Sequence, residues 1–561
     1  VLGDERHAPA LDDLIRVLED ESPRVRFFAA MSLGKLGRRE ATPAILRMVE
    51  ANNDKDPYLR HAGVMAMLGI KDPDPLRATL SQSKPASRLA VLLTLRRLRS
   101  PHVKEFLNDP DPRIVLEAAR AINDEPIEEA MPALAALVHK PKGLSEHVLV
   151  RAANANYRLG TREAAAALVQ LAQNDDVAAP WRVDALKLLG EWEQVPGRNH
   201  VTGVWNPLPP RDGAVARAVA APALAGLLRS APDDVRVAAA GLAQKLGVDQ
   251  SDLLFELASA KESSPKVRAA ALQSLAGKND PRLPDAVKAA LQDADEAVRL
   301  QAIALQAKLP TGASSLIPRL NSGNVREQQA VLAALAAAAD PEADRAIGGT
   351  LQRLLSGNLP PEIQLDVLEA AEKRNTPEMS EKLAQHHARR RSDDPLAEYR
   401  EALAGGDPIA GERIFEERAD VSCVKCHSVN GFGGNAGPDL AGVGAKQTRE
   451  YLLESILAPP AKIAEGWEAV IVRLKNGEVV SGIVKGETEQ ELVLNVITDP
   501  TRGITRPIVL KKKDIDRRRG GQSAMPEGLV KALTKRELRD LIEYLASLKE
   551  PAGVKGEADR G

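Results

Sequence analysis

Thiols are almost absent: Cys423 and Cys426 are the only cysteines in 561 residues. So small a number rules out a disulfide framework, the device of small secreted domains, and leaves no second cysteine pair for a zinc site, which needs about four ligands. Aromatic residues supply 3% of the chain against 44% apolar residues overall. Packing therefore falls to Ala and Leu, a profile of short helices rather than of a β-rich body. Charge of either sign is not in excess, with 76 Lys and Arg facing 78 Asp and Glu, so no global field draws the chain to nucleic acid or to an anionic membrane. No apolar run approaches the ~20 residues needed to span a bilayer, and no membrane span is expected in this chain. The amino end reads VLGDERHAPALDDL, with no initiator Met, no basic-then-apolar leader and a start inside a repeating phrase. It is read as the truncated beginning of a longer protein.

What is present is repetition. A chain of this length exceeds one growing core, and an Arg beside a small apolar residue recurs after an acidic or Pro-containing turn and before an Ala/Leu-rich helix. Examples are DESPRVRFFAAMSLGKLG at Arg26, DPDPRIVLEAARAI at Arg113 and SSPKVRAAALQSLAG at Arg268. Intervals between the ten such arginines from Arg26 to Arg326 run from 25 to 38 residues, apart from one of 54 between Arg182 and Arg236. Each interval holds two short helices, and stacked pairs share a core that one pair alone cannot bury, which predicts an α-solenoid. The phrase D-x-x-x-V-R-x-x-A-x-x-L-G resembles HEAT repeats of the short bacterial kind over residues 1–390. Tetratricopeptide repeats fit the period but lack their Trp and Tyr positions here. The repeated Arg is expected to tie neighbouring turns together through acidic side chains and carbonyls. The long interval carries an irregular loop at 190–215 with Trp192 and Trp205, either a contact site or a loop that buries its own rings. His386 and His387 are adjacent, cannot share a metal, and are expected in solvent. A linker follows at 391–406, where charge and turn residues cluster.

The sequence 421–440, VSCVKCHSVNGFGGNAGPDL, carries the chemistry. A lone structural disulfide is out of place beside a large helical core, and a thioredoxin-like pair belongs after a strand in a βαβ unit, which the preceding residues do not suggest. C-x-x-C-H remains as covalent attachment of haem c: Cys423 and Cys426 would form the thioethers, and His427 would be the proximal iron ligand. From 407 onward the chain holds one His, His427, and one Met, Met525. His and Met are a common axial pair for electron transfer, and Met525 sits in the loop GGQSAMPEGL. Helices are expected at 411–419 and 534–549, the second with Leu538, Leu541, Ile542, Leu545 and Leu548 in helical register.

Together C-x-x-C-H, the helix with Gly411 and Phe415, the GPDL turn at 437–440, the M-P loop and Tyr544 on a terminal helix resemble the cytochrome c fold. That resemblance implies that Pro438 packs against His427 and takes its ring N–H, locking one tautomer. His427 and Met525 stand 98 residues apart, more than a minimal haem domain needs. The excess, about 465–518, reads as strands around an Asn476-Gly477 turn and resembles a small SH3-like or Sm-like barrel. No aromatic residue between Trp467 and Tyr544 is available to stack bases, so a haem cover or docking surface is favoured over RNA binding. The basic run KKKDIDRRR at 511–519 either neutralises haem propionates, steers an acidic partner, or guards a sheet edge. With the insert, residues 407–550 resemble the Pirellula/Verrucomicrobium-type haem-binding domain, which implies an association with HEAT-like repeats and often with an upstream dehydrogenase-like propeller.

The expected fold is mainly α: a HEAT-like solenoid, then a cytochrome c-like helical haem domain with a small β-barrel-like insert, then a disordered tail at 551–561. The expected function is one-electron transfer by a single covalent haem c, with electrons accepted from a dehydrogenase domain or a redox partner protein. Two alternatives remain: a haem enzyme or sensor with an open iron site, and a protein-interaction scaffold with a structural haem. The solenoid is expected to contact protein, and no nucleic acid is expected as partner. No catalytic residue stands out, and whether the chain is itself an enzyme is left open. Covalent haem attachment, as the cytochrome resemblance implies, places the protein in the periplasm or at another extracytoplasmic site, with membrane association through the missing amino-terminal part as a further option.

Overall fold

The computed structural model describes residues 2–72, 84–309, 312–338, 340–499 and 503–549; the expected tail at 551–561 lies outside them. Helices dominate among the described residues, with a two-stranded and a five-stranded antiparallel sheet toward the carboxy end. Among the described residues no helix is long and apolar enough to cross a membrane. The chain divides into two compact units, Val1–Val298 and Arg299–Gly561.

The first unit is built of repeated helices. Many open with Pro at the first helical position behind Ser or Asp, as at Pro23, Pro57, Pro112 and Pro265. Proline fixes the φ a helix start needs and gives up an N–H that has no intrahelical partner there. Asp56 and Asp111 cap two of these helices by accepting from Tyr58 N at 2.8 Å and Arg113 N at 2.9 Å. Helix Asp233–Leu246 packs against Ala179–Gly190, Gly213–Ser230 and Pro265–Gly277, so consecutive repeats share one Ala/Leu core.

The arginine ladder forms as expected. Arg88 grips Asp109 at 2.7 and 3.0 Å, Arg151 grips Asp124 at 3.0 and 2.9 Å, and Arg268 grips Asp293 at 2.8 Å through both nitrogens. Arg182 and Arg236 donate to carbonyls, Ala172 O at 2.7 Å and Leu228 O at 2.9 Å. Arg113 departs from the pattern: its side chain is 81% exposed and holds Asp111 from outside.

The loop after Gly190 divides its two tryptophans. Trp192 is buried, with the Arg211 guanidinium 4.5 Å from its ring centroid and 4.4 Å from that of Tyr157. Trp205 is 68% exposed, bridged through its backbone to Arg198.

In the second unit, helices Val325–Ala337 and Pro341–Leu355 lead to α1 (Gln364–Arg374) and α2 (Pro377–Ala388). The segment 391–406, expected as a linker, is packed against the unit, with Leu396 and Ala402 buried. His386 is not free in solvent as expected: its Nε2 meets Glu401 Oε1 at 2.8 Å, because burial of Glu401 demands a partner. His387 is exposed. Next come α3 (Pro408–Glu417), a two-stranded ribbon of β1 (Ser428–Val429) and β2 (Phe432–Gly433), and α4 (Arg449–Leu457). The chain closes with α5 (Lys535–Ser547), whose amino end carries a reciprocal cap between Thr534 and Glu537. Helices α3 and α5 touch through Gly411, where any Cβ would lie 2.0 Å from Asp540 O.

Between α4 and α5 lies the insert: β3 (Glu468–Leu474), β4 (Val479–Glu487), β5 (Glu491–Asp499), β6 (Ile504–Lys511) and β7 (Ile515–Ser523). Their order is β6-β5-β4-β3-β7, all neighbours antiparallel. Alternation puts Val470, Val472, Leu492 and Leu494 into a small core. The basic run ends in β7 at the sheet edge, and Arg518 and Lys512 are both held by Glu487.

Candidate functional site

The CVKC turn is a single helical turn, Cys423–Cys426, entered through Ser422 in the left-handed region (φ 52°). It is braced from behind by Arg418, which binds Asp420 at 2.8 and 2.7 Å, Ala532 O at 2.9 Å and the Glu537 carboxylate. Both thiols are unpaired and half-buried. Burial pushes the Cys423 thiol up to about 11 and raises Cys426 as well, against a small opposing pull from Lys425. A dithiol reductant works through a lowered thiol, and the shift here runs the other way. Among the described residues no group of three or more His, Cys, Asp or Glu side chains is placed to hold a metal ion.

His427 follows the turn, its backbone N bonded to Cys423 O at 2.9 Å. Its Nδ1 lies 2.9 Å from Pro438 O. A carbonyl only accepts, so Nδ1 carries the proton and Nε2 keeps its lone pair. Burial pushes the His427 pKa down, with the Pro438 carbonyl opposing, so the imidazole is held neutral. Gly437 packs flat against this ring: a Cβ there would lie 2.7 Å from Cε1.

Cys423, Cys426, His427, Pro438 and Met525 all line one cavity of about 410 Å³. Its size is that of a small-molecule or cofactor pocket. Leu541 and Leu545 of α5 form one wall, Tyr451 and Ile456 of α4 another, and Trp467 and Ile497 bring the insert into the lining. Met525 is placed by its loop, where its N donates to Ser523 Oγ at 3.1 Å. Lys446 and Lys462 also line the cavity, the latter paired with Glu454 at 2.5 Å. An apolar cleft with two thiols, a neutral imidazole, a thioether and two cations is a donor set that fits haem c. All five residues expected from the sequence therefore meet in one place.

Other lining residues were not anticipated. Helix α4 had a sequence signal, Thr448 followed by apolar residues at helical spacing, and Thr448 Oγ1 caps it by accepting from Tyr451 N at 3.2 Å. Trp467 and Ile497 had none, because strand alternation does not say which residue meets another domain.

Two family models match parts of the chain. The HEAT repeats family matches residues 1–56 and the Cytochrome c family matches residues 409–473. A cytochrome c domain is therefore carried with a HEAT-repeat scaffold, and the domain implies haem c binding. Phycocyanobilin lyase subunit alpha of Pseudanabaena tenuis is 35% identical over 136 residues, covering 20% of this chain and 49% of that protein. Its counterpart from Nostoc sp. is 30% identical over 151 residues, 22% and 54% respectively. The chain spans about half the length of these curated relatives. Among solved structures, Kap121p is 15% identical with a TM-score of 0.39, covering 75% of this chain and 48% of that one. The complex of CpcE and CpcF of phycocyanin lyase from Nostoc sp. is 23% identical with a TM-score of 0.17, covering 39% and 86%.

Proposed function

We propose that this protein is a mono-haem c-type electron carrier, its single haem attached through Cys423 and Cys426 and its iron held by His427 and Met525. The observation that carries this reading is the Nδ1 bond from His427 to Pro438 O within a cavity also lined by both thiols and Met525. Pro438 fixes the tautomer and orientation of the imidazole. Apolar side chains of α4 and α5 line the cavity, and Met525 offers a soft sulfur donor from a loop fixed at Ser523. When bound, the haem supplies a one-electron iron couple. A His/Met pair sets a higher potential than two nitrogen ligands.

The domain is assigned to the Pirellula/Verrucomicrobium type on its insert and its S-x-M-P-E-G-L ending. Electrons come from a dehydrogenase domain or redox partner, the solenoid contacts protein partners, and the chain resides in the periplasm or another extracytoplasmic site. The exposed ring of Trp205 is one handle for protein contact.

The test is the absorption spectrum of the full chain, matured in cells with a cytochrome c assembly system, in both oxidation states with and without carbon monoxide. The expected result is haem that survives denaturation and ignores carbon monoxide until Met525→Ala opens the iron. Carbon monoxide binding by the unaltered chain would replace electron transfer with ligand activation or sensing, and absence of covalent haem would overturn the reading.

A further inference from the structure

Outside the cavity, described residues of the insert also touch the haem-attachment segment. Asn435 stands in the loop between His427 and Pro438. Its Oδ1 accepts from Thr505 N at 3.0 Å and from Thr505 Oγ1 at 3.1 Å, and its own N donates to Gly503 O at 3.3 Å. Thr505 is buried. On the inner side the same loop is laced to the CVKC turn, Gly434 N to Val424 O at 2.8 Å and Gly437 N to Cys426 O at 2.7 Å.

The Lys425 carbonyl oxygen is wedged between the two segments. A Cβ on Gly434 would fall 1.8 Å from it, and one on Gly503 would fall 1.3 Å from it. Gly503 also has φ 62°, a conformation that L side chains disfavour. Two glycines thus let the residue leading into β6 and the attachment turn meet on one oxygen. Nothing larger fits.

We propose that the start of β6 is a clamp on the proximal loop, and that Asn435, Gly503 and Thr505 are positioning residues for His427. The clamp acts through the loop: by fixing Asn435 it fixes Gly437 and Pro438, and Pro438 O fixes the imidazole. An insert that served only as a cover would need the lining residues Trp467 and Ile497 but not this second set of bonds. The proposal rests on the reading of His427 as the proximal ligand.

The test uses the full matured chain with Asn435→Ala, Thr505→Val and, as control, Thr488→Val. Thr488 Oγ1 likewise accepts a backbone bond within the insert, from Glu491 N at 3.0 Å, but at the β4–β5 turn. Three quantities are read: midpoint potential, the hyperfine-shifted NMR signal of the His427 Nδ1 proton, and hydrogen exchange of the Gly434 and Gly437 amides. Exchange is read on the haem-free chain too. Asn435→Ala is expected to speed exchange at those amides by roughly tenfold, as loss of the two bonds to its side-chain oxygen implies. It should also move both the Nδ1 signal and the potential, with Thr505→Val producing a smaller change in the same direction and Thr488→Val none. If the unaltered chain carries His-ligated haem and Asn435→Ala matches Thr488→Val in all three, the clamp is overturned while the electron-carrier reading stands. A chain that takes up no covalent haem overturns both.

Discussion

Arg539 and Asp366, 173 positions apart in sequence, form an ion pair at 2.6 Å with side chains only 5% and 0% exposed. Arg539 belongs to α5, whose Leu541 and Leu545 line the haem cavity, and Asp366 to repeat helix α1. Arg536 adds a second contact to Asp366 at 3.1 Å and one to Glu369. The last repeats and the cavity wall are therefore parts of one body.

Removing one member of a buried pair strands the other charge, which costs about 3–5 kcal/mol. Asp366→Ala should lower the stability of the second unit by that order. Urea unfolding followed at the haem band and by far-ultraviolet circular dichroism should show the haem environment and the repeat helices failing in one transition. A haem domain cut free near residue 400 should be similarly weakened.

Gly437→Ala tests the proximal packing. The new methyl would lie 2.7 Å from His427 Cε1, so ring or loop must shift, at about 1–3 kcal/mol for overpacking. A fall in covalent haem yield and an altered iron–imidazole signature are expected. An unchanged ferric spectrum at full haem yield would refute the close packing.

In the repeats, burial rather than mere presence of the ladder arginine sets its worth. Arg268→Ala should cost about 3–5 kcal/mol, since it abandons Asp293 in a site where both side chains are largely buried. Arg113→Ala, on a side chain 81% exposed, should stay within about 0.5 kcal/mol. Chemical denaturation of the two variants, compared at equal protein concentration, measures the difference.

Acid should erode the first unit through Asp280. The Arg282 guanidinium beside it lowers its pKa to about 2. A carboxylate lowered on folding contributes stability above its ordinary pKa of about 4, and that contribution is lost as pH falls from there through about 2. Asp280→Asn should flatten this part of the acid limb. Unfolding midpoints between pH 5 and pH 2 provide the check.

Local signals made much of this readable from sequence. C-x-x-C-H with one distal Met names its own chemistry, and the repeat phrase names its architecture because each copy restates the same cap, arginine and apolar register. Asn476-Gly477 announced the first hairpin of the insert. Long-range pairings such as Arg539 with Asp366, or Asn435 with Thr505, had no such announcement: each residue alone looks like an ordinary polar position, and only the fold brings the partners together. His386 illustrates the same limit, since its pairing with Glu401 depends on a segment whose composition reads as linker but whose Leu396 and Ala402 are buried. The loop tryptophans divided for a comparable reason: Arg211, 19 residues after Trp192, buries one ring and leaves Trp205 outside.

Trp467 gives the cavity a built-in optical gauge. An indole in the lining lies within energy-transfer range of any tetrapyrrole that enters, so its fluorescence should dim as occupancy rises. The light lost on haem loading that a Trp467→Phe variant no longer loses would be the share belonging to this site, readable during maturation without any added label.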